Sequence, residues 1–157
     1  MLRDYAAIPA HLAFKLPDNV SSLEGALIEP LAVGLSAASR GDVTLGQDVV
    51  ILGAGCIGLL TMMACKARGA GRVIVSDLFS KRLDKALELG ADAVIDASTE
   101  DTMARVTELT EGRGADVVFE TAGNSHTAAE TSDLVRRGGV IVFVGNINGE
   151  TPYRFMD

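Results

Sequence analysis

Three glycines stand at Gly53, Gly55 and Gly58 in the spacing G-x-G-x-x-G, directly after the apolar run Val49-Val50-Ile51-Leu52. After a strand and before a helix, that spacing has a chemistry. The first glycine permits a sharp turn, Gly55 lets the backbone approach a pyrophosphate, and Gly58 lets the helix pack close to the strand. The free N–H groups at the helix start then face the anion. Asp77 ends the next apolar stretch, about 20 residues beyond the last glycine. A carboxylate at that point accepts hydrogen bonds from adenosine ribose hydroxyls and repels a 2′-phosphate, which favours NAD over NADP. The blander role for an aspartate there is to form the turn.

Other residues carry paired readings. Arg82 follows Asp77 within reach of an adenine or a ribose, and it suits a solvated helix face equally well; a phosphate partner would complicate the preference for NAD. Cys56 lies inside the glycine turn, where thiol chemistry could disturb binding, yet no basic sequence neighbour would activate it and it reads as a small side chain. Cys65 reads as helix core. Gly123 and Val144-Gly145-Asn146 follow later apolar runs, at strand C-termini where open α/β sheets bind ligands and where glycine also simply ends strands. His11 and His126 lack metal-ligand spacing to a second donor and read as surface residues.

The elements that must position these residues follow from periodicity. Short apolar runs recur at Val49–Leu52, Val73–Val75, Ala93–Ile95, Val117–Phe119 and Val140–Val144, their starts one strand plus one helix apart. Runs apolar on both faces belong to a parallel sheet covered by helices on both sides. The intervening helices are expected over Ile57 to Arg68, over Lys81 to Leu89 behind a Ser80 cap, from a capping box at Ser98–Asp101 through Leu109, and from a Ser125 cap to Arg137, with Gly138-Gly139 as the stop. Ser21-Ser22-Leu23-Glu24 is a further capping box, and Gly25 to Ser39 reads as helical with a break at Pro30. Asp4 to Leu16 alternates weakly and reads as short extended pieces. The predicted fold class is therefore α/β, a Rossmann-type doubly wound parallel sheet.

Composition sets the limits. The chain has 157 residues, with 14 Lys plus Arg against 21 Asp plus Glu, a net charge of −7 that argues against a nucleic-acid surface or a polybasic membrane patch. Two cysteines make neither a disulfide framework nor a zinc cluster, and they point to a reducing, cytoplasmic setting. The uncharged stretch from Val49 to Cys65 approaches the ~17 residues of a membrane span, but its glycines make it a strand, a turn and a helix. No Gly-Lys-Ser or Gly-Lys-Thr follows the turn, which excludes a P-loop, and a methyltransferase turn usually reads G-x-G-x-G.

Beside these features, Gly25-Ala26-Leu27-Ile28-Glu29-Pro30-Leu31-Ala32-Val33-Gly34, the glycine turn, and Asp77-Leu78 with Arg82 resemble the zinc-dependent medium-chain dehydrogenases, and within them the sorbitol, xylitol and butanediol dehydrogenase branch. The resemblance covers nearly the whole chain. It implies hydride transfer from a polyol or secondary alcohol to NAD, with a zinc ion that polarises the substrate hydroxyl. By the same resemblance Glu29 lies at the catalytic zinc, as a ligand or bound through its water. Asp77 and Arg82 would hold the adenosine ribose, Cys56, Ile57 and their glycine neighbours the pyrophosphate, and Val144, Gly145 and Asn146 the nicotinamide end.

The resemblance also implies a longer protein, homo-oligomeric when complete. Residues 1–20 are expected to be a remnant of an N-terminal catalytic domain, 21–44 a connecting helix, and 45–157 an NAD-binding domain truncated before its sixth strand. No complete catalytic set is expected in this chain, because one carboxylate cannot make a zinc site. Two other readings stay open: a zinc-free medium-chain quinone or enoyl reductase, opposed by Glu29-Pro30 and Asp77, and a non-catalytic nucleotide-sensing module.

Overall fold

The computed structural model describes residues 5–148 and 150–151. Among the described residues a single turn of 3₁₀ helix at Ala10–Leu12 is the one regular element before residue 22, where extended pieces were expected. Then follow α1 (Ser22–Ala26), α2 (Ile28–Arg40), β1 (Asp48–Leu52), α3 (Cys56–Ala67), β2 (Arg72–Asp77), α4 (Ser80–Glu88), β3 (Ala93–Asp96), α5 (Thr102–Leu109), β4 (Ala115–Glu120), α6 (Ser125–Leu134) and β5 (Val135–Phe143). The strands form one parallel sheet in the order β3-β2-β1-β4-β5. The order reverses between β1 and β4, as a doubly wound sheet requires.

Alternation along each strand sorts the core into two layers. Val49, Ile51, Val73, Val75, Val117 and Phe119 pack with residues of α2, α3 and α4 on one face. Val50, Leu52, Ile74 and Val118 pack with Val106 of α5 and Leu134 of α6 on the other. Both faces are therefore dry, which explains the unbroken apolar runs. α2 joins the first layer so closely that a Cβ at Gly34 would stand 2.7 Å from the Leu60 backbone carbonyl carbon.

Helix ends depart from the sequence reading in instructive ways. Ser21 and Glu24 do form a capping box on α1. The helical break, however, falls at Leu27; Pro30 continues α2 as its third residue, where a missing N–H costs nothing because first-turn donors have no intrahelical partner. The residues that open α4, α5 and α6 each sit one position after the cap. Phe79 precedes α4 without a side-chain bond, Asp101 accepts from the Ala104 amide, and Asn124 accepts from the Thr127 amide. Ser98 and Glu100 instead bond around Asp96.

The last helix ends at Leu134 and not at Arg137. Val135 already pairs with Ala115, and the register slips before Val140 pairs with Val117. Gly138 takes φ +72° in that irregular stretch. A long-range ion pair decides the matter, Arg136 Nε donating to Asp116 Oδ1 at 2.6 Å.

Asp116 belongs to a cluster at the N-terminal edge of the sheet. Its Oδ2 accepts the Asp48 amide at 2.8 Å, and Arg113 reaches Asp48 Oδ2 at 2.6 Å. Burial raises the Asp116 pKa, but the bonds from Arg136 and the Asp48 amide, with the charges of Arg136 and Arg113, outweigh it and hold the carboxyl below its ordinary 3.8. A depressed carboxylate contributes stability that is present above the unfolded value and lost as pH falls through the folded one. Asp116→Asn should therefore destabilise the chain at pH 7, with a cost that shrinks below 3.8. Urea unfolding at pH 7 and pH 3 checks this, and a cost independent of pH would refute it. Among the described residues β5 is the outer strand on its side of the sheet, with Val140 and Phe143 partly exposed. Exposed apolar outer strands template association, so the sedimentation coefficient should rise with protein concentration; a monomer at all concentrations would count against that face being sticky.

Candidate functional site

A cleft of about 910 Å³ opens at the C-terminal ends of β1, β2 and β4, lined among others by Gly53, Gly55, Asp77, Phe79, Arg82 and Thr121. It sits across the reversal in strand order, where open α/β sheets bind ligands. Each glycine of the turn has its own constraint. Gly53 takes φ +105° and donates its N–H to the Ser76 carbonyl at 2.7 Å. A Cβ on Gly58 would overlap the Gly53 carbonyl oxygen, so the first turn of α3 rests directly on the end of β1. At Gly55 a Cβ would meet nothing within 4 Å, leaving open space beside the backbone. No side chain caps α3, so its first N–H groups are free toward a ligand.

Asp77 is held by the turns on both sides of it. Its Oδ2 accepts the Ala54 amide at 2.7 Å and its Oδ1 accepts the Phe79 amide at 2.9 Å. The turn-forming role is therefore real, and the carboxylate still borders the cleft. Arg82 Nη1 lies 3.4 Å from Asp77 Oδ2, and its guanidinium carbon stands 4.9 Å from the Phe79 ring centroid. Asp77 and Arg82 thus meet at one end of the cleft. The opening residues of α3 follow Gly55 in the chain, Cys56 exposed and Ile57 half-buried. Burial pushes the Cys65 thiol up to about 12, consistent with an inert core position.

The remaining expected residues gather elsewhere. Glu29, exposed in the first turn of α2, lines a second cavity of about 460 Å³ together with Arg40 and Val144. Gly145 and Asn146, next in the chain, pack against the turn after β4 at Gly123. Gly123 has φ +73°, and a Cβ there would stand 3.2 Å from the Asn146 carbonyl oxygen. Among the described residues no three His, Cys, Asp or Glu side chains form a metal-holding group. These residues alone do not hold a zinc ion. His126 is exposed beside Glu130 at 3.3 Å, on the rim of the cleft.

The sequence reading missed Glu120. It is fully buried at the end of β4, and its Oε1 accepts from the Ala122 and Gly123 amides and the Thr127 hydroxyl. The signal was available: a lone acid terminating Val117-Val118-Phe119, just before Thr121-Ala122-Gly123. Thr121 was also missed; its hydroxyl donates to the Leu52 and Gly53 carbonyls, both at 2.9 Å.

A parallel sheet reversing at β1/β4, with a tight glycine turn feeding an uncapped helix, defines a dinucleotide-binding α/β domain of the Rossmann type. The comparisons place it more narrowly. Residues 56–157 match the zinc-binding dehydrogenase family, and the chain belongs to that family. It is 48% identical over 155 residues to the zinc-type alcohol dehydrogenase-like protein YdjJ of Escherichia coli K12, covering 99% of this chain and 45% of that protein. Human sorbitol dehydrogenase is 46% identical over 138 residues, covering 87% of this chain and 39% of its own length. A putative zinc-binding dehydrogenase of Sinorhizobium meliloti 1021, solved bound to NADP, superposes with a TM-score of 0.88 at 32% identity, over 95% of this chain and 44% of that one. The chain thus spans less than half the length of these relatives. No helix among the described residues is long and apolar enough to cross a membrane.

The close approach at Gly58 yields a prediction. Gly58→Ala forces backbone apart at the α3 entry and should cost about 2–4 kcal/mol of stability. Thermal unfolding of the variant checks it, and an unchanged midpoint would show that the turn yields freely.

Proposed function

We propose that this chain is the NAD-binding portion of a zinc-dependent polyol or secondary-alcohol dehydrogenase, cytoplasmic and homo-oligomeric as the complete enzyme. The observation that carries the reading is the cleft that the open backbone at Gly55 lines together with the Asp77–Arg82 pair. The chain's part is binding and orientation. Amides at the start of α3, from Cys56 through Gly58, receive the pyrophosphate without Cβ obstruction at Gly55. Asp77 accepts from the adenosine ribose hydroxyls, while Arg82, held between Asp77 and the Phe79 ring, flanks the adenine. Val144, Gly145 and Asn146 border the nicotinamide half on the far side of the strand reversal. The nicotinamide, when bound, accepts the hydride released by the alcohol.

Residues 45–157 carry this binding unit and 21–44 connect to it. Glu29 is this chain's contribution toward a zinc centre, on the side of α2 that shares a cavity with Val144. The NADP-bound relative makes cofactor choice the point to test. A 2′-phosphate beside Asp77 would set like charges together in a partly desolvated turn, which supports NAD. Calorimetric titration of the chain with NAD and with NADP, repeated on Asp77→Ala, is the measurement. NAD should bind, NADP should bind at least about tenfold more weakly, and the variant should lose about tenfold toward NAD. Binding of neither dinucleotide would overturn the reading, and a preference for NADP would overturn the role given to Asp77.

A further inference from the structure

Glu120 has no role in the reading above, yet it is the most deeply buried acid among the described residues. Its side chain is fully buried, and its Oε2 has no hydrogen-bond partner. Its Oε1 gathers the Ala122 amide at 3.0 Å, the Gly123 amide at 2.8 Å and the Thr127 hydroxyl at 2.7 Å. Its backbone carbonyl accepts from the Val144 and Gly145 amides at 2.8 and 3.0 Å. One residue therefore binds the turn after β4 with its side chain and the turn after β5 with its backbone. The packing is close as well: a Cβ on Gly145 would stand 2.5 Å from Oε2.

These two turns lie on the β4–β5 side of the strand reversal, whereas Asp77 and Arg82 lie on the β2 side. A dinucleotide spanning such a sheet puts one nucleotide half on each side. We propose that Glu120 is a positioning residue for the nicotinamide half of the cofactor: its Oε1 fixes the 121–123 turn against the 144–146 turn, and it does not touch the adenosine half. This rests on the dinucleotide reading above. Oε1 needs only to accept, and Oε2 has no donor to satisfy, so an amide in place of the carboxyl preserves the function while an isosteric apolar side chain does not.

The test separates the two halves of the ligand, using NAD and AMP as probes on the 157-residue chain and its variants. AMP reads only the adenosine side. Glu120→Met should weaken NAD by about tenfold and AMP by less than about twofold, since it strands two backbone donors beneath the nicotinamide side alone. Glu120→Gln should restore NAD binding to within about threefold of wild type. Thr127→Val removes one donor and leaves the carboxyl in place, so it should show the same split at about threefold on NAD even where the Met variant folds poorly. Equal losses of NAD and AMP, a Gln variant as weak as Met, or a Thr127→Val chain with no split would each overturn the proposal while leaving the dinucleotide reading intact. Wild-type protein that binds neither probe would overturn both.

Discussion

The contact between α3 and the end of β1 sets the geometry of everything above the sheet. Because no atom can be added at Gly58, the helix axis is brought against the strand, and the chain between them is reduced to the two residues Ala54 and Gly55 plus the turn at Gly53. Three further features depend on that closeness. The Ala54 amide comes within reach of Asp77, the Gly53 carbonyl comes within reach of Thr121, and the uncapped helix start borders the cleft. A longer or looser junction would separate β2 and β4 from the turn they support. The strand–turn–helix junction thus rests on a steric fact as much as on a sequence pattern.

Carboxylates work at both ends of the sheet, with opposite partners. At the N-terminal edge Asp48 and Asp116 meet guanidinium groups from Arg72, Arg113 and Arg136. At the C-terminal edge Asp77 and Glu120 accept mainly from backbone amides of the turns around the cleft, Ala54 and Phe79 for Asp77 and Ala122 and Gly123 for Glu120. The difference has a physical consequence. A guanidinium partner neutralises charge and ties distant chain segments together, whereas an amide partner fixes the dihedral path of a loop. Loops on the cleft side are therefore pre-set before any ligand arrives, and that reduces the ordering cost of binding.

Much of this arrangement was legible in the sequence, because local rules and the fold agree. The apolar runs located all five strands of the sheet, and the glycine spacing located the turn and the start of α3 to within a residue. What escaped was decided by distant partners or by position within a helical turn. Nothing near Arg136 in sequence announces Asp116, so the end of α6 could not be placed from its own residues. Pro30 looked like a breaker because its place in the first turn of α2 was not known. Glu120 was passed over although its amide partners Ala122 and Gly123 lie two and three residues on; what only the folded chain shows is its burial and its carbonyl taking the Val144 and Gly145 amides once β4 and β5 pair. Asp77 and Arg82 were each given two readings, and only the folded chain shows Arg82 set between the Asp77 carboxylate and the Phe79 ring.

The fit of α2 against α3 at Gly34 carries one more implication. Two helices whose backbones are in contact cannot slide or roll independently, because side chains that might act as compliant spacers are missing at the crossing. α2 begins at Ile28 and α3 begins at Cys56, so the pair behaves as a rigid strut joining Glu29 to the glycine turn. A displacement imposed on the start of α2 is therefore carried to the glycine turn at the start of α3. The two helix starts are in this sense a single mechanical part.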